Sequence, residues 1–468
     1  MHIYDSAKKT KLPFEPIRPK EANIYVCGPT VYDDAHLGHA RSALSFDLLR
    51  RTLSALGYKV KFAKNFTDVD DKIINKMQTT GKSMQEITDY YIKRYLDEMD
   101  QIGVARADIE PKATETLSEM EEMIERLIEQ GYAYRADSGN VYFDTSKDSK
   151  YGTISHKVPD SDESRSRIAH TLEKHSSKDF ALWKACGVTD TVCFDSKFSS
   201  GRPGWHIECS AMINKYFEGN DEYQIDIHGG GADLLFPHHE NEAAQSRCAT
   251  GKELAKYWMH NGFVQIDGEK MSKSLGNSFF LKDALAKYDG EVLRHYLIGV
   301  HYRNDFNFNE EDLLSSKKRL DKLYRLKKRV YPGKGSAVNP DFKSKLLEAM
   351  SDDLNISVAL AAVDEMIAFA NEALDSNPKD KALKKEIIAN IEYIDTLLGF
   401  GGKEPYKYFQ IGVDQDTVKK IEQMIEQRNQ AKKSKDFTTA DKIRDDISKI
   451  GISIMDTTDG TVWEKVWD

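Results

Sequence analysis

Asn23-Ile-Tyr-Val-Cys-Gly-Pro-Thr-Val-Tyr-Asp-Asp-Ala-His-Leu-Gly-His39 is the stretch on which the reading of the fold turns. Ile24, Tyr25 and Val26 are β-branched or aromatic residues bounded by turn-formers, the pattern of a short buried strand. Gly28 and Pro29 end it. From His39 the apolar period becomes helical through Leu44, Leu48, Leu49, Leu53 and Leu56, and Gly57 is a natural stop. His36-Leu-Gly-His39 therefore sits where a strand hands over to a helix. In an open α/β sheet that is the ligand-binding end, with helix N-terminal amides available to a phosphate. The competing reading is a polar turn with two solvent-facing histidines.

Working outward, Lys59–Phe66 alternates at period two and is expected to form the next strand. Thr67-Asp-Val-Asp-Asp71 then caps a helix through short oxygen-bearing side chains, or else gathers Asp68, Asp70 and Asp71 round a cation. Helices are expected at about 83–102 and 115–130. From 132 to 200 short strand-like pieces such as Val141-Tyr-Phe143 alternate with polar runs, notably Pro159–Arg167, which suggests an insertion closed by the turn-formers Ser199–Gly204. A helix at about 205–217, a strand at 224–227, a helix beginning near Pro237 and a strand at about 257–266 resume the α/β pattern. After Phe308 the chain reads as helical to about 400. Gly399–Pro405 has linker composition. The tail is expected to hold helices at 415–433 and 437–449 and a hairpin over 452–464. The expected fold is thus α/β: a Rossmann-like parallel-sheet domain (1–114 and 201–307) split by an insertion (115–200). A helical bundle (308–400) and a small α+β domain (401–468) follow.

The 468 residues carry a net charge of −9 and no apolar run of the roughly 18 residues a membrane span needs. The acidic balance argues against a general nucleic-acid coat, which relies on cation excess, but leaves room for RNA recognised by local basic patches. Met-His-Ile-Tyr-Asp5 has no basic segment followed by an apolar one, so the cytoplasm is the expected compartment. The five cysteines are scattered, with no Cys-x-x-Cys, and are expected to be reduced thiols, some available as metal ligands.

Three further stretches carry chemistry. Gln224-Ile-Asp-Ile-His-Gly-Gly-Gly-Ala-Asp233 ends a strand in glycines, which lets a ligand approach the backbone, and Asp233 suits ribose hydroxyls. Pro237 opens a helix on which His238 and Glu242 stand four apart on one face, a spacing that offers a metal two ligands. Cys27 and Cys209 supply two more, and two thiolates, an imidazole and a carboxylate suit Zn2+. Each cysteine also suits a buried core, and His238 with Glu242 a surface ion pair. A metal hydrolase with Glu240 as base would require His-Glu-x-x-His, which is not present. Finally Lys270-Met-Ser-Lys-Ser274, in a loop after Asp267-Gly268, sets two lysines and intervening hydroxyls at a spacing suited to a triphosphate.

His36-Leu-Gly-His39 together with Lys270-Met-Ser-Lys-Ser274 resembles the paired signature of the class I aminoacyl-tRNA synthetases. Val26–Asp33, Gly201–Ser210 and His228–Glu242 narrow the resemblance to the cysteinyl-tRNA synthetase family, over essentially the whole chain. Leu37 stands where isoleucine is commoner, and 155–178 is hard to align. The resemblance implies one zinc held by Cys27, Cys209, His238 and Glu242, and ATP used with Mg2+. It implies that His36, His39, Lys270 and Lys273 act in catalysis, that Gly38, His39, Gly231, Asp233 and Lys273 bind ATP, and that Gly28, Thr67 and Trp205 line the amino-acid pocket. His206, His228 and His239 would surround the metal. The implied reaction joins L-cysteine to the 3′ end of a cysteine-accepting tRNA through an adenylate. The tail would read the anticodon with Arg428, Asp436 and Trp463. The implied protein is a monomer with no membrane partner.

Overall fold

A computed structural model describes residues 1–157, 173–266, 279–457 and 460–466, with the backbone alone of Glu269 and Lys270. It divides into two compact units, the first comprising 1–282, 297–309 and 347–359, the second 283–296, 310–346 and 360–468.

The first unit is built on a parallel sheet in the order Glu253–Asn261, Tyr223–Gly231, Glu21–Val26, Lys59–Lys64. Parallel strands are covered on both faces, which is why Ile24, Tyr25, Val26, Ile225 and Ile227 are all fully buried. The chain leaves the central strand outward in one direction to Lys59–Lys64, and returns much later on its other side at Tyr223–Gly231. That reversal opens a crevice at the carboxyl ends of the two neighbours. Val26 lies opposite Gly229, and the N–H of Cys27 donates to the Gly229 carbonyl at 3.1 Å.

The helix Leu37–Ala55 lays Leu44, Leu48, Leu49 and Leu53 against the sheet. Its N-terminus is capped by histidines rather than by the usual Ser and Glu. His36 Nδ1 accepts from the Gly38 N–H, His39 Nδ1 accepts from the His36 N–H, each at 3.1 Å, and the rings stack at 3.8 Å. Arg41, one turn on, is 1% exposed and donates to the carbonyls of Leu297, Val300, His301 and Asn304. It fastens this helix to the segment that closes the unit. At Thr67–Asp71 capping wins over a cation site: Asp70 caps the helix Asp71–Thr80, Asp68 accepts from Thr114, and Asp71 pairs with Lys184 and Arg202.

The insertion is an antiparallel sheet of Ala133–Arg135, Val141–Phe143, Phe180–Ala185 and Gly201–Pro203. Its last strand lies where a closing turn was expected. Gly201 packs so near its neighbour that a Cβ there would meet the Lys184 carbonyl oxygen at 2.3 Å, so glycine serves pairing rather than turning. The expectation of five reduced cysteines also needs correcting. Cys186 and Cys193 form a disulfide, because Gly187 and Asp190 fold the intervening loop back and bring the Cα atoms to 6.2 Å.

In the second unit the helices Glu310–Val330 and Lys381–Leu398 pack together. Gly399–Pro405, expected to be a linker, is a packed joint. Phe400 is buried, the Gly401 N–H and the Tyr324 hydroxyl both donate to Glu291, and Tyr324 accepts from the Lys403 N–H. The tail holds the helices Gln415–Lys433 and Phe437–Lys449 and the hairpin Ile452–Thr457 with Gly460–Lys465, closed over Ile421, Ile425, Ile447, Ile454 and Trp463. Among the described residues no helix is long and apolar enough to cross a membrane.

His295 makes this unit acid-sensitive. It is 4% exposed and shares a 2.7 Å hydrogen bond with Ser316, and burial first, then Arg319, pushes its pKa from 6.5 down to about 4. Between those values the unfolded chain takes a proton that the folded chain refuses, so the stabilisation is complete above pH 6.5 and is lost on descent to about 4. The loss is about 3 kcal/mol at 1.36 kcal/mol per unit. Denaturation midpoints measured from pH 7 to 4 should fall more steeply in the parent than in His295→Gln, the slope they share coming from groups such as the buried His206 and His260.

Candidate active site

The crevice at the strand ends opens into a cleft of about 600 Å3. Its lining includes Cys27, Gly28, His36, Gly38, His39, Trp205, Gly231 and Asp233, so residues from three distant stretches share one wall. Lys64 and Lys72 line it too, and sequence reading missed both. Lys64 fell into a period-two alternation, and Lys72 into the helix after the aspartates. The helix-capping histidines stand at the positive end of Leu37–Ala55, where backbone amides favour an anion. Gly231 matters by what it lacks, since a Cβ there would stand 2.5 Å from Asp233 Oδ1.

Beneath the cleft the side chains of Cys27, Cys209, His238 and Glu242 converge, their donor atoms all within 4.8 Å of one another. The separations are 3.7 Å between the sulfurs, 3.8 Å from Cys209 Sγ to His238 Nε2, 3.6 Å from Cys27 Sγ to Glu242 Oε1, and 2.7 Å from His238 Nε2 to Glu242 Oε1. Tetrahedral zinc with metal–sulfur bonds near 2.3 Å sets its sulfurs about 3.8 Å apart, so the set fits the ion in kind and the sulfur pair fits it in spacing, while His238 and Glu242, now hydrogen-bonded, must part by about 0.6 Å to ligate it. Only Cys27 of the four reaches the cleft, the others being at most 2% exposed. A surface ion pair between His238 and Glu242 is therefore not what forms.

The electrostatics suit a cation. Hydrogen bonding from Cys27 holds the Cys209 thiol down at about 6, while burial pushes Cys27 well up, so the sulfur pair retains one proton. Burial opposes charge on His238, but the Glu242 carboxylate overcomes it and raises the imidazole to about 10. Burial likewise opposes ionisation of Glu242, and His238 with His228 holds it well below the usual carboxylate range. Buried anions neutralised by shared protons are the groups that exchange those protons for a metal.

Histidines and an aromatic ring support the cluster. His206 meets His238 ring to ring at 2.8 Å, and Trp205 stacks on His238 at 4.0 Å. His228 Nε2 lies 2.6 Å from Glu242 Oε2, and His239 pairs with His260 at 2.8 Å. His228 and His239 make a second set of four with Cys27 and Glu242. Thr67 lies below the cleft, its hydroxyl donating at 2.7 Å to Glu208, a carboxyl pushed far up by burial. The regular helix bearing Glu242 begins at Glu240, since Phe236 is extended (φ −141°, ψ 132°), yet His238 still reaches Glu242 across one turn. Glu240 accepts hydrogen bonds from Gly152, Ile154 and Ser155 and faces no water, which removes it as a hydrolytic base.

Of the signature lysines, Lys270 has a described backbone, paired with Gln265, but its side chain and all of Lys273 lie outside the described residues. In the tail, Trp463 is 5% exposed and packs in the apolar core, because alternate residues of its strand face inward. It has no open face for a base. Arg428, also buried, makes two 2.9 Å bonds to Asp456, and Asp436 caps the helix Phe437–Lys449 through Thr439. Among the described residues of the tail, the large aromatic turned outward is Phe437, 61% exposed beside Asp436. Its exposure could not be foreseen, because a phenylalanine reads equally well as core.

The fold is that of class I synthetases. Mycobacterium tuberculosis methionyl-tRNA synthetase in complex with methionyl-adenylate superposes with a TM-score of 0.59 at 16% identity, covering 81% of this chain and 92% of that one. Residues 13–318 match the family model described as tRNA synthetases class I (C) catalytic domain, and 345–401 the DALR domain. A protein of Sulfurovum sp. (strain NBC37-1) named cysteine–tRNA ligase is 73% identical over 99% of this chain and its own whole length. Another so named, from Helicobacter pylori (strain G27), is 58% identical over the full length of both. The chain belongs to the cysteine branch of the class I tRNA synthetase family.

Proposed function

We propose that this chain is an ATP-dependent cysteine–tRNA ligase whose thiol selectivity comes from zinc held by Cys27, Cys209, His238 and Glu242. The observation that carries the reading is the convergence of those four residues under the cleft that His36, His39 and Asp233 line. ATP, with Mg2+, lies with its phosphates at the N-terminus of Leu37–Ala55, near Gly38 and the two histidines, and its ribose at Gly231 and Asp233. Lys270 and Lys273 neutralise the departing pyrophosphate. Cysteine enters past Gly28 and Trp205 with its sulfur toward Cys27. Bound zinc would supply a preference for a thiolate over a hydroxyl, which an apolar pocket cannot, since near-isosteres there differ by only about 1–3 kcal/mol.

The cysteine carboxylate attacks the α-phosphorus, and pyrophosphate leaves with the electron pair of the broken P–O bond. A terminal hydroxyl of the tRNA then attacks the acyl carbon and AMP departs. The protein's part is to hold reactants in line and to stabilise charge as it develops. The helical region after 308 contacts the tRNA, and the tail reads the anticodon, Asp436 and its neighbours being its exposed groups.

Incubation with ATP, labelled cysteine and total tRNA tests this. Label should become acid-precipitable and sensitive to ribonuclease. Cysteine activation with transfer only to small amines would contradict the tRNA reading.

A further inference from the structure

His238 and Glu242 stand on the least supported part of a helix. The first-turn N–H groups have no partner within the helix, and the extended Phe236 interrupts the chain before it. Of the residues between the ligands, Glu240 points away from the metal cluster, because a residue two positions on is turned by about 200°, and Asn241 beside it reaches the same segment as Glu240. Both are buried.

Their partners come from one segment of the insertion. Glu240 Oε1 accepts from the Gly152 N–H at 2.8 Å. Its Oε2 accepts from the Ile154 N–H at 3.0 Å, the Ser155 N–H at 2.7 Å and the Ser155 hydroxyl at 2.9 Å. Asn241 Oδ1 accepts from the Tyr151 hydroxyl at 2.6 Å. A fully buried carboxylate thus receives four uncharged donors from residues more than eighty positions away. Nothing in the adenylation chemistry calls for this group.

We propose that Glu240 is a positioning residue for the metal site, tying 152–155 to the outer side of the turn whose inner side presents His238 and Glu242. The proposal rests on the reading of Cys27, Cys209, His238 and Glu242 as metal ligands. The inner side is braced by His206 and His228, so the turn is clamped from both sides. Loss of the outer clamp lets the two donors drift while leaving all four ligands chemically intact. Partners outside the ligand set typically tune metal affinity by about 10–100-fold.

Titration of the metal-stripped full-length protein with Co2+, followed by its thiolate charge-transfer absorption, tests this without any assay of activity. Glu240→Gln sets an amide N–H2 against buried donors and should weaken Co2+ binding by about 10–100-fold. Ser155→Ala deletes one donor and should weaken it by about two- to tenfold, which keeps the test alive should Glu240→Gln not fold. Ser246→Ala, which removes a buried hydroxyl at the far end of the same helix, lowers thermal stability only and should bind like the parent. A parent that binds no Co2+ would sink the metal reading itself. A parent that binds, with Glu240→Gln and Ser155→Ala both within about twofold of it, would overturn the role of Glu240 alone.

Discussion

Cys209→Ser should abolish stoichiometric metal binding and with it cysteine activation, while the protein stays folded. The sulfur contributes two of the edges that give the donor set its shape, 3.7 Å to Cys27 and 3.8 Å to His238. A serine hydroxyl does not ionise there and is a poor zinc ligand, so the loss should exceed the roughly 100-fold that an outer partner can cost. The fold should lose far less. Serine is close to cysteine in size and has Asn65 Oδ1 as a prospective acceptor, so the penalty is about 1–2 kcal/mol, the lower part of the range for a buried polar group. Elemental analysis of zinc per chain, beside a thermal melt, separates the two effects. Retention of one zinc per chain by Cys209→Ser would remove this residue from the ligand set.

Gly28→Ala should be nearly as damaging for a different reason. The Gly28 N–H donates to Asn65 Oδ1 at 2.8 Å, and an added Cβ would stand 1.5 Å from the Asn65 backbone carbonyl oxygen. Neither side can yield cheaply, because both are main chain at the end of adjoining strands. The backbone must part, and the residue that moves first is Cys27. We expect a stability loss of about 3 kcal/mol, the upper end for overpacking. A displacement near 1 Å at the site should add a drop of about 100-fold in cysteine-dependent exchange. Full activity with an unchanged melt would mean that the two strand ends are not in the contact described.

Much of this site was legible before any coordinates because it lies in short-range patterns. The strand ending at Val26, the histidines at a helix start, and the four-residue spacing of His238 and Glu242 are each local statements, and Cys27 and Cys209 were on offer as further ligands. What stayed hidden depends on distant pairing. Gly201-Arg-Pro203 has the composition of a turn and becomes a strand only because Lys184 and Trp183 lie beside it. Gly399–Pro405 has the composition of a linker and is packed because Glu291 and Tyr324 reach it from other helices. The disulfide follows from a loop that spacing alone does not close, and the partners of Glu240 sit some 85 residues upstream. Trp463 shows the converse: an aromatic that composition offers to a nucleic-acid base is needed by the tail's small core.

The central claim is that this cleft activates cysteine and chooses it by its sulfur. ATP–pyrophosphate exchange by the zinc-loaded protein, run with cysteine and with serine, measures both at once. Exchange should depend on cysteine and favour it over serine by about 10^4, the discrimination reached by a site built to bind the distinguishing group. No cysteine-dependent exchange, or equal exchange with serine, would contradict it.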